Sequence, residues 1–177
     1  DLKKAIASKF EEISRFFQST EFKFAGIIVD LGISSDQLND PQRGLSFQSL
    51  GPLDMRMNQK SQLTAAKVLN EYSPQQLKQV FIQGGLSRGS FELAREIVAA
   101  RPIRDTKHFC QLCEKVLVPL ERRLNKTKKI GHLATVPFQA VRIEVNNEFG
   151  AIKGLLGQVL EFLTPGGRFA AISFHSL

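Results

Sequence analysis

Two short apolar runs bracket a long helical stretch, and that arrangement constrains the fold more than any other feature of the chain. The first run, Ile27-Ile28-Val29, is β-branched and stops at Asp30. It predicts a buried strand over residues 23–31. The second, Arg168 to Phe174, predicts another strand, with His175 and Ser176 at its carboxyl edge. Between them the apolar spacing is three and four, not two. Helices are expected near Leu63–Glu71, from Ser73-Pro74 to before Gly84-Gly85, after Ser90, and from Thr106. Ser73 reads as an N-cap with Pro74 at the first helical position, and Ser90 as a second N-cap. The helix after Ser90 is expected to bury Phe91, Ala94, Ile97 and Val98. A long helix is predicted from Pro137 to Leu163, ended by Pro165-Gly166-Gly167, and a further one over residues 3–17. Strand regions enclosing helices imply an α/β sheet into which an all-helical lobe is inserted. The expected division is a first core part over 1–58, a helical lobe over 59–131, and a second core part over 132–177.

The chain has 177 residues, enough for one domain with an appended lobe. No apolar run approaches the roughly 20 residues that span a bilayer. The start is amphipathic and has no signal-peptide core, so a cytoplasmic location is expected. The formal charge of +7 favours a polyanionic partner such as RNA, or serves solubility alone. The basic run Glu121–Gly131 carries no aromatic residue, so it reads as a solvated loop or as a phosphate-gripping arm. Cys110 and Cys113 form a single CxxC with His108 beside it. A structural zinc site needs four ligands, and the flanking Phe109, Leu112, Val116 and Leu117 read instead as a helix burying small thiols. No metal site is expected.

The stretch Gly26 to Met57 carries most of the chemical information. In an open parallel sheet, ligands bind beyond the carboxyl ends of the strands. Asp30 stands at such an end, followed by the small and polar residues Gly32, Ser34, Ser35, Asp36 and Gln37. Asn39-Asp40-Pro41 and Arg43-Gly44 are turn chemistry. Gly51 to Met57, GPLDMRM, alternates Leu53, Met55 and Met57 with Asp54 and Arg56, the pattern of an ordered loop.

The blocks VDLGISSDQL, RGLSF and GPLDMRM resemble the bacterial small-subunit rRNA cytosine-N4 methyltransferases, the MraW/RsmH family. FELAREIVAARPI, HLATVPFQAVRIEVNNE and LTPGGRFAAISFHSL agree in the same order, from about Phe10 to the last residue. The resemblance implies a partial Rossmann-like class I methyltransferase sheet. It implies methyl transfer from S-adenosyl-L-methionine to a cytidine N4 in small-subunit rRNA, within the assembled small ribosomal subunit. By the same resemblance Asp30 contacts cofactor and reacting groups, Gln37 contacts cofactor, and Phe10 lies near the adenine. Phe10 equally suits the core face of a first helix. The chain reads as an internal piece of a larger enzyme, without the family's N-terminal glycine-rich block or its C-terminal end. The alternative is a non-catalytic RNA- or ribosome-binding fragment. An oxidoreductase is disfavoured by the lack of GxGxxG.

An exocyclic cytosine amine is a poor nucleophile, because its lone pair is delocalised into the ring. Acceptors placed at the amine favour its pyramidal form, which is catalysis by positioning and electrostatics. Asp30 suits that task. Ser34 and Ser35 either contact the target cytosine or serve the turn. Phe47 either stacks on an unstacked base or packs within its loop. Arg43 and Arg56 either hold phosphates or, for Arg56, pair with Asp54. Arg142 and Asn146, four apart, share a helix face that lines a cleft or bounds an amphipathic helix. His132 belongs to the same block, and His175 ends the second strand on the ligand side. Leu133 and Val136 depart from the Pro and Arg usual in the family, and the second change puts one RNA or cofactor contact in doubt.

Overall fold

The protein is described by a computed structural model over residues 23–123 and 132–173. It has a mixed α/β architecture, with a small parallel sheet and many helices among the described residues. The chain forms two compact units, one of residues 1–32 with 147–177 and one of residues 33–146.

The first unit holds the sheet. β1 (Phe24–Asp30) pairs in parallel with β2 (Leu163–Ile172). Ile27 lies opposite Phe169, Val29 opposite Ala171, and Asp30 opposite Ile172. A bulge interrupts the ladder between Phe24, opposite Leu163, and Gly26, opposite Arg168. Thr164-Pro165-Gly166-Gly167 fall in that interval, with Gly166 at φ 80°. Expected to end a helix, these residues lie inside β2 instead, because a bulge tolerates a proline and a left-handed glycine that a regular ladder does not. β1 is not the buried strand expected: Ile28 exposes 76% of its surface.

The single helix expected from Pro137 to Leu163 is broken. α6 (Thr135–Asn146) ends before Asn147, whose φ of 47° is left-handed, and α7 (Glu148–Gln158) starts anew. Asparagine tolerates this conformation better than other side chains do. A 3₁₀ turn, Val159–Phe162, leads into β2.

The second unit carries the apolar core. α1 (Ser35–Asn39) and the 3₁₀ turn Pro41–Arg43 precede α2 (Ala65–Glu71), α3 (Pro74–Gln83), α4 (Ser90–Ala99) and α5 (Thr106–Arg123). α6 completes the unit. Ser73 caps α3 through a two-way box with Gln76, and Pro74 begins the helix as predicted. Ser90 is not the cap of α4: Gly89, at φ 77°, takes that position and Ser90 is buried as the first helical residue. Val68, Leu69, Leu77, Phe81, Leu93, Ile97, Phe109 and Val141 are fully buried together. Phe109 stacks on Phe138 with ring centroids 4.7 Å apart. On α4, Ala94 and Ile97 join the core and Val98 packs against it, but Phe91 does not: 44% of it is exposed. α3 packs on both α4 and α6. Among the described residues no helix is long and apolar enough to cross a membrane.

Candidate active site

Parallel pairing puts the carboxyl ends of β1 and β2 side by side. The Leu31 N–H continues the ladder, donating to Ile172 O at 2.9 Å. The chain then turns at Gly32, whose φ of 119° suits glycine and where an added Cβ would meet nothing within 4 Å among the described residues. Asp30 is therefore an exposed carboxylate at the carboxyl end of a parallel pair, beside an open, glycine-permitted turn. A carboxylate there can accept hydrogen bonds from hydroxyls or an amine, and the turn leaves room for a ligand to approach the backbone. Those features fit an adenosine-type cofactor. Phe10 and His175 lie outside the described residues.

The other candidate residues belong to the helical unit, where most are tied to the protein itself. Ser34 Oγ accepts from the Gln37 N–H at 3.2 Å, and Gln37 Oε1 accepts from the Ser34 N–H at 3.1 Å. The pair forms a capping box on α1, so the turn reading of Ser34 is present in the structure. Among the described residues the Gln37 amide NH₂ makes no hydrogen bond of its own.

The segment from Gly44 to Ser61 is held with unusual completeness. Gly44 is buried at φ 61°, and a Cβ there would stand 1.8 Å from Pro52 O, so only glycine fits. Thr106, fully buried, donates from Oγ1 to Ser49 O at 2.8 Å and accepts the Gly51 N–H at 2.9 Å. Arg56 forks onto Asp54, with Nε to Oδ1 at 2.8 Å and Nη2 to Oδ2 at 2.7 Å. Its Nη1 donates to Gln59 O and Ser61 O at 2.9 and 2.8 Å. Of the two readings of Arg56, the pair with Asp54 is the one the geometry displays. The hydrogen bond from Arg56 holds the Asp54 carboxyl below the usual carboxylate range. Arg43 donates from Nη1 to Arg56 O and Met57 O at 3.4 and 3.3 Å and lies 3.8 Å from Asp40.

Met55 at the centre of this segment is fully buried at φ 59°, a left-handed conformation that a non-glycine residue adopts only when held. Asn146 holds it. The side-chain amide donates to Met55 O at 2.8 Å and accepts from the Met57 N–H at 2.7 Å, and it also donates to Arg142 O at 2.8 Å. Asn146 thus pins the loop to α6. The spacing of Arg142 and Asn146 found the shared helix face but not this clamp, since a two-point amide bond leaves no periodic signal.

Phe47 lies parallel to His132, centroids 4.5 Å apart, and meets Phe138 edge-on at 5.6 Å. One ring face is therefore covered within the unit. His132 Nδ1 accepts the Ala134 N–H at 3.2 Å, which places the ring proton on Nε2, 3.1 Å from Glu114 Oε1. Cys110, Glu114 and His132 bring their ligand atoms within 4.8 Å of one another. The Nδ1 bond nevertheless favours a tautomer whose Nε2 proton faces Glu114, an arrangement built for hydrogen bonding. Burial pushes the Cys110 and Cys113 thiols up from their ordinary range. Cys113 is buried, in line with the reading of an amphipathic helix.

Two half-buried clamps carried no readable motif. Asn70 accepts the Ile103 N–H at 2.7 Å and donates to Ile103 O at 3.1 Å. Tyr72 donates to Glu144 at 2.9 Å, and burial with that bond pushes its phenol up to about 12. The basic run beyond Arg123 lies outside the described residues, and Glu121–Arg123 end α5.

Comparison with known proteins bears on the family of the chain. A model of the MraW methylase family matches residues 2–177. The ribosomal RNA small subunit methyltransferase H of Koribacter versatilis is 48% identical over 172 residues, covering 97% of this chain and 53% of that protein. The protein of the same name from Thermosipho africanus is 45% identical over 155 residues, covering 88% and 52%. That of Streptococcus mutans is 42% identical over 164 residues, covering 93% and 51%. The chain spans about half the length of the curated relatives it matches. With a family match across nearly its whole length and this identity to proteins of one name, the chain belongs to the MraW methylase family.

Proposed function

We propose that the protein transfers the methyl group of S-adenosyl-L-methionine to the N4 amine of a cytidine in small-subunit rRNA, within the assembled subunit and in the cytoplasm. The observation that carries this reading is the family match over residues 2–177. Asp30, at the carboxyl end of β1, supports it. We assign the sheet to a partial Rossmann-like class I methyltransferase core, and residues 59–131 to a helical substrate-binding lobe between core parts 1–58 and 132–177.

The cofactor supplies an activated methyl group. The chain must orient the acceptor and stabilise charge as it develops. Asp30 accepts a hydrogen bond from the target amine or from the cofactor, an electrostatic contribution that strengthens as positive charge grows on nitrogen. Gln37 and Phe10 are assigned to the cofactor by resemblance, and Ser34, Arg43, Phe47, His132, Arg142 and His175 to the cytidine and its flanking phosphates. Asn146 and Arg56, expected from the sequence to contact RNA, are assigned instead to holding the loop from Gly44 to Ser61. The amine loses its proton after attack, so no strong general base is needed.

The test is methyl transfer by the full-length protein to small-subunit rRNA, with the product nucleoside identified by mass spectrometry. N4-methylcytidine is expected, and Asp30→Ala abolishes it while RNA affinity persists. Full activity in Asp30→Ala removes Asp30 from the site. A folded protein that neither binds S-adenosylhomocysteine nor methylates RNA refutes the enzymatic reading and favours a non-catalytic RNA-binding role.

A further inference from the structure

We propose that the ridge made by α3 and α4 is a single-stranded RNA contact, in which one base stacks on Phe91 and the flanking phosphates meet Lys78 and Arg95. The proposal rests on the functional reading above, which makes residues 59–131 a substrate-binding lobe, and it names within that lobe three side chains to which that reading assigns no individual contact.

Phe91 lies at the start of α4 with 44% of its surface exposed, although the apolar periodicity of its helix predicts burial. Two cations lie over its ring, where a stacking base would displace them toward its own phosphates. Lys78 Nζ from α3 and Arg95 Cζ from α4 each lie 5.9 Å from the ring centroid. Phe91 and Arg95 are one helical turn apart, as are Lys78 and the exposed Ile82. Glu96, the acid next to Arg95, is taken up by Lys115 at 2.6 Å. On α3, α4 and their connection, Lys78, Arg88 and Arg95 then stand against Glu92 alone. Among the described residues, neither Lys78 nor Arg95 is paired with a carboxylate.

An exposed ring with a cation on either helix combines the two elements of single-strand recognition, an aromatic face for a base and positive charge for the backbone. A protein partner fits less well. Stable interfaces bury about 800 Å² on each side around an apolar centre, whereas this ridge exposes only Phe91 and Ile82 as large apolar side chains. One nucleotide needs no more than one ring and its neighbours. The chain's charge of +7 points to the same polyanion.

The experiment measures binding of full-length protein to a labelled single-stranded oligouridylate and to protein-free small-subunit rRNA, across a series of salt concentrations. Phe91→Ala is expected to weaken binding about 5- to 150-fold, the range for loss of one stacked base. Phe91→Leu keeps apolar packing without an aromatic face and must weaken binding likewise, whereas Phe91→Tyr binds as the unmodified protein does. Lys78→Ala with Arg95→Ala must flatten the slope of log K against log salt by about 1.4, or about 0.7 for each phosphate no longer neutralised. Circular dichroism and melting establish that each variant is folded. Unchanged affinity in folded Phe91→Leu, or an unchanged salt slope in the double variant, overturns the proposal. A loss confined to binding of a protein also overturns it. Titration of S-adenosylhomocysteine into the unmodified protein reads the methyltransferase assignment separately, so the two can fail independently.

Discussion

Replacing Asn146 by alanine removes the clamp that holds Met55 in a left-handed conformation. The side chain makes three hydrogen bonds, two of them to the backbone of the loop at Met55 and Met57. Leaving a buried backbone group unpaired costs about 1–3 kcal/mol. Met55 is fully buried and belongs at the upper end; Met57 is half-buried and belongs at the lower. The bond to Arg142 O lies within the helix and adds little. The expected loss is about 2–4 kcal/mol, which for a chain of this size lowers the melting temperature by roughly 5–15 °C. Asn146→Asp separates the donor from the acceptor. Its carboxylate still accepts from the Met57 N–H but turns a lone pair toward Met55 O, so at neutral pH it is expected to be no better than alanine. Protonation restores the donor, so the folded state raises the pKa of this carboxyl. The stability so gained is present below the ordinary value of about 3.9 and is lost as pH rises through the folded pKa. The gap between Asn146→Asp and the parent must therefore narrow in acid. Urea unfolding of all three proteins across pH measures both effects. A loss under about 0.5 kcal/mol for Asn146→Ala, or a gap independent of pH for Asn146→Asp, refutes the clamp.

The Asp54 carboxyl is held below its usual range, chiefly by the Arg56 hydrogen bond, so its contribution is complete above the unfolded value and disappears as pH falls through the folded one; the stability difference between parent and Asp54→Asn in urea melts must vanish at low pH. Gly84 ends α3 where a Cβ would stand 2.2 Å from Ala140 Cβ and 2.4 Å from its Cα, so Gly84→Ala is expected to destabilise by about 1–3 kcal/mol or more in urea melts, and Ala140→Gly, which leaves that Cα in place, is expected to give little rescue in a double-mutant cycle. Tyr72 is the only tyrosine of the chain, so its phenolate absorbance is uncontaminated; it must ionise near 12 in the folded protein, its stabilising share being present below about 10 and lost as pH rises toward 12. A midpoint near 10 in folded protein contradicts the half-buried bond to Glu144.

Features set by local chemistry were legible in the sequence. Ser73-Pro74 marked a helix start because capping and a fixed φ act on adjacent residues. Ile27 to Asp30 marked a strand because β-branched residues favour extended backbone. Thr106 opened α5 as expected. Features set by distant partners were not legible. The periodicity through Asn147 is unbroken, yet a left-handed residue divides the helix there; the adjacent asparagines were the available signal. Phe91 keeps the spacing of a core residue but lies where α4 begins, past the edge of the apolar cluster. Arg56 and Asn146 look like ligand-binding residues by type, and their partners in the folded chain are loop carbonyls and an acid two residues away. Polar side chains that close a loop and those that face a substrate have the same composition; only geometry separates them.

The parallel pairing of β1 with β2 also governs the order in which the chain can fold. Thr164 Oγ1 and Phe24 O, joined across the sheet, are 140 positions apart in sequence. No hairpin can bring such strands together, and the entropy of closing so large a loop must be met before the ladder returns any of it. The helices of residues 33–146 need no such closure, since α3 meets α4, and α4 meets α5, as successive elements. Topology therefore favours early condensation of the helical unit, with the carboxyl edge that carries Asp30 among the last features of the molecule to form.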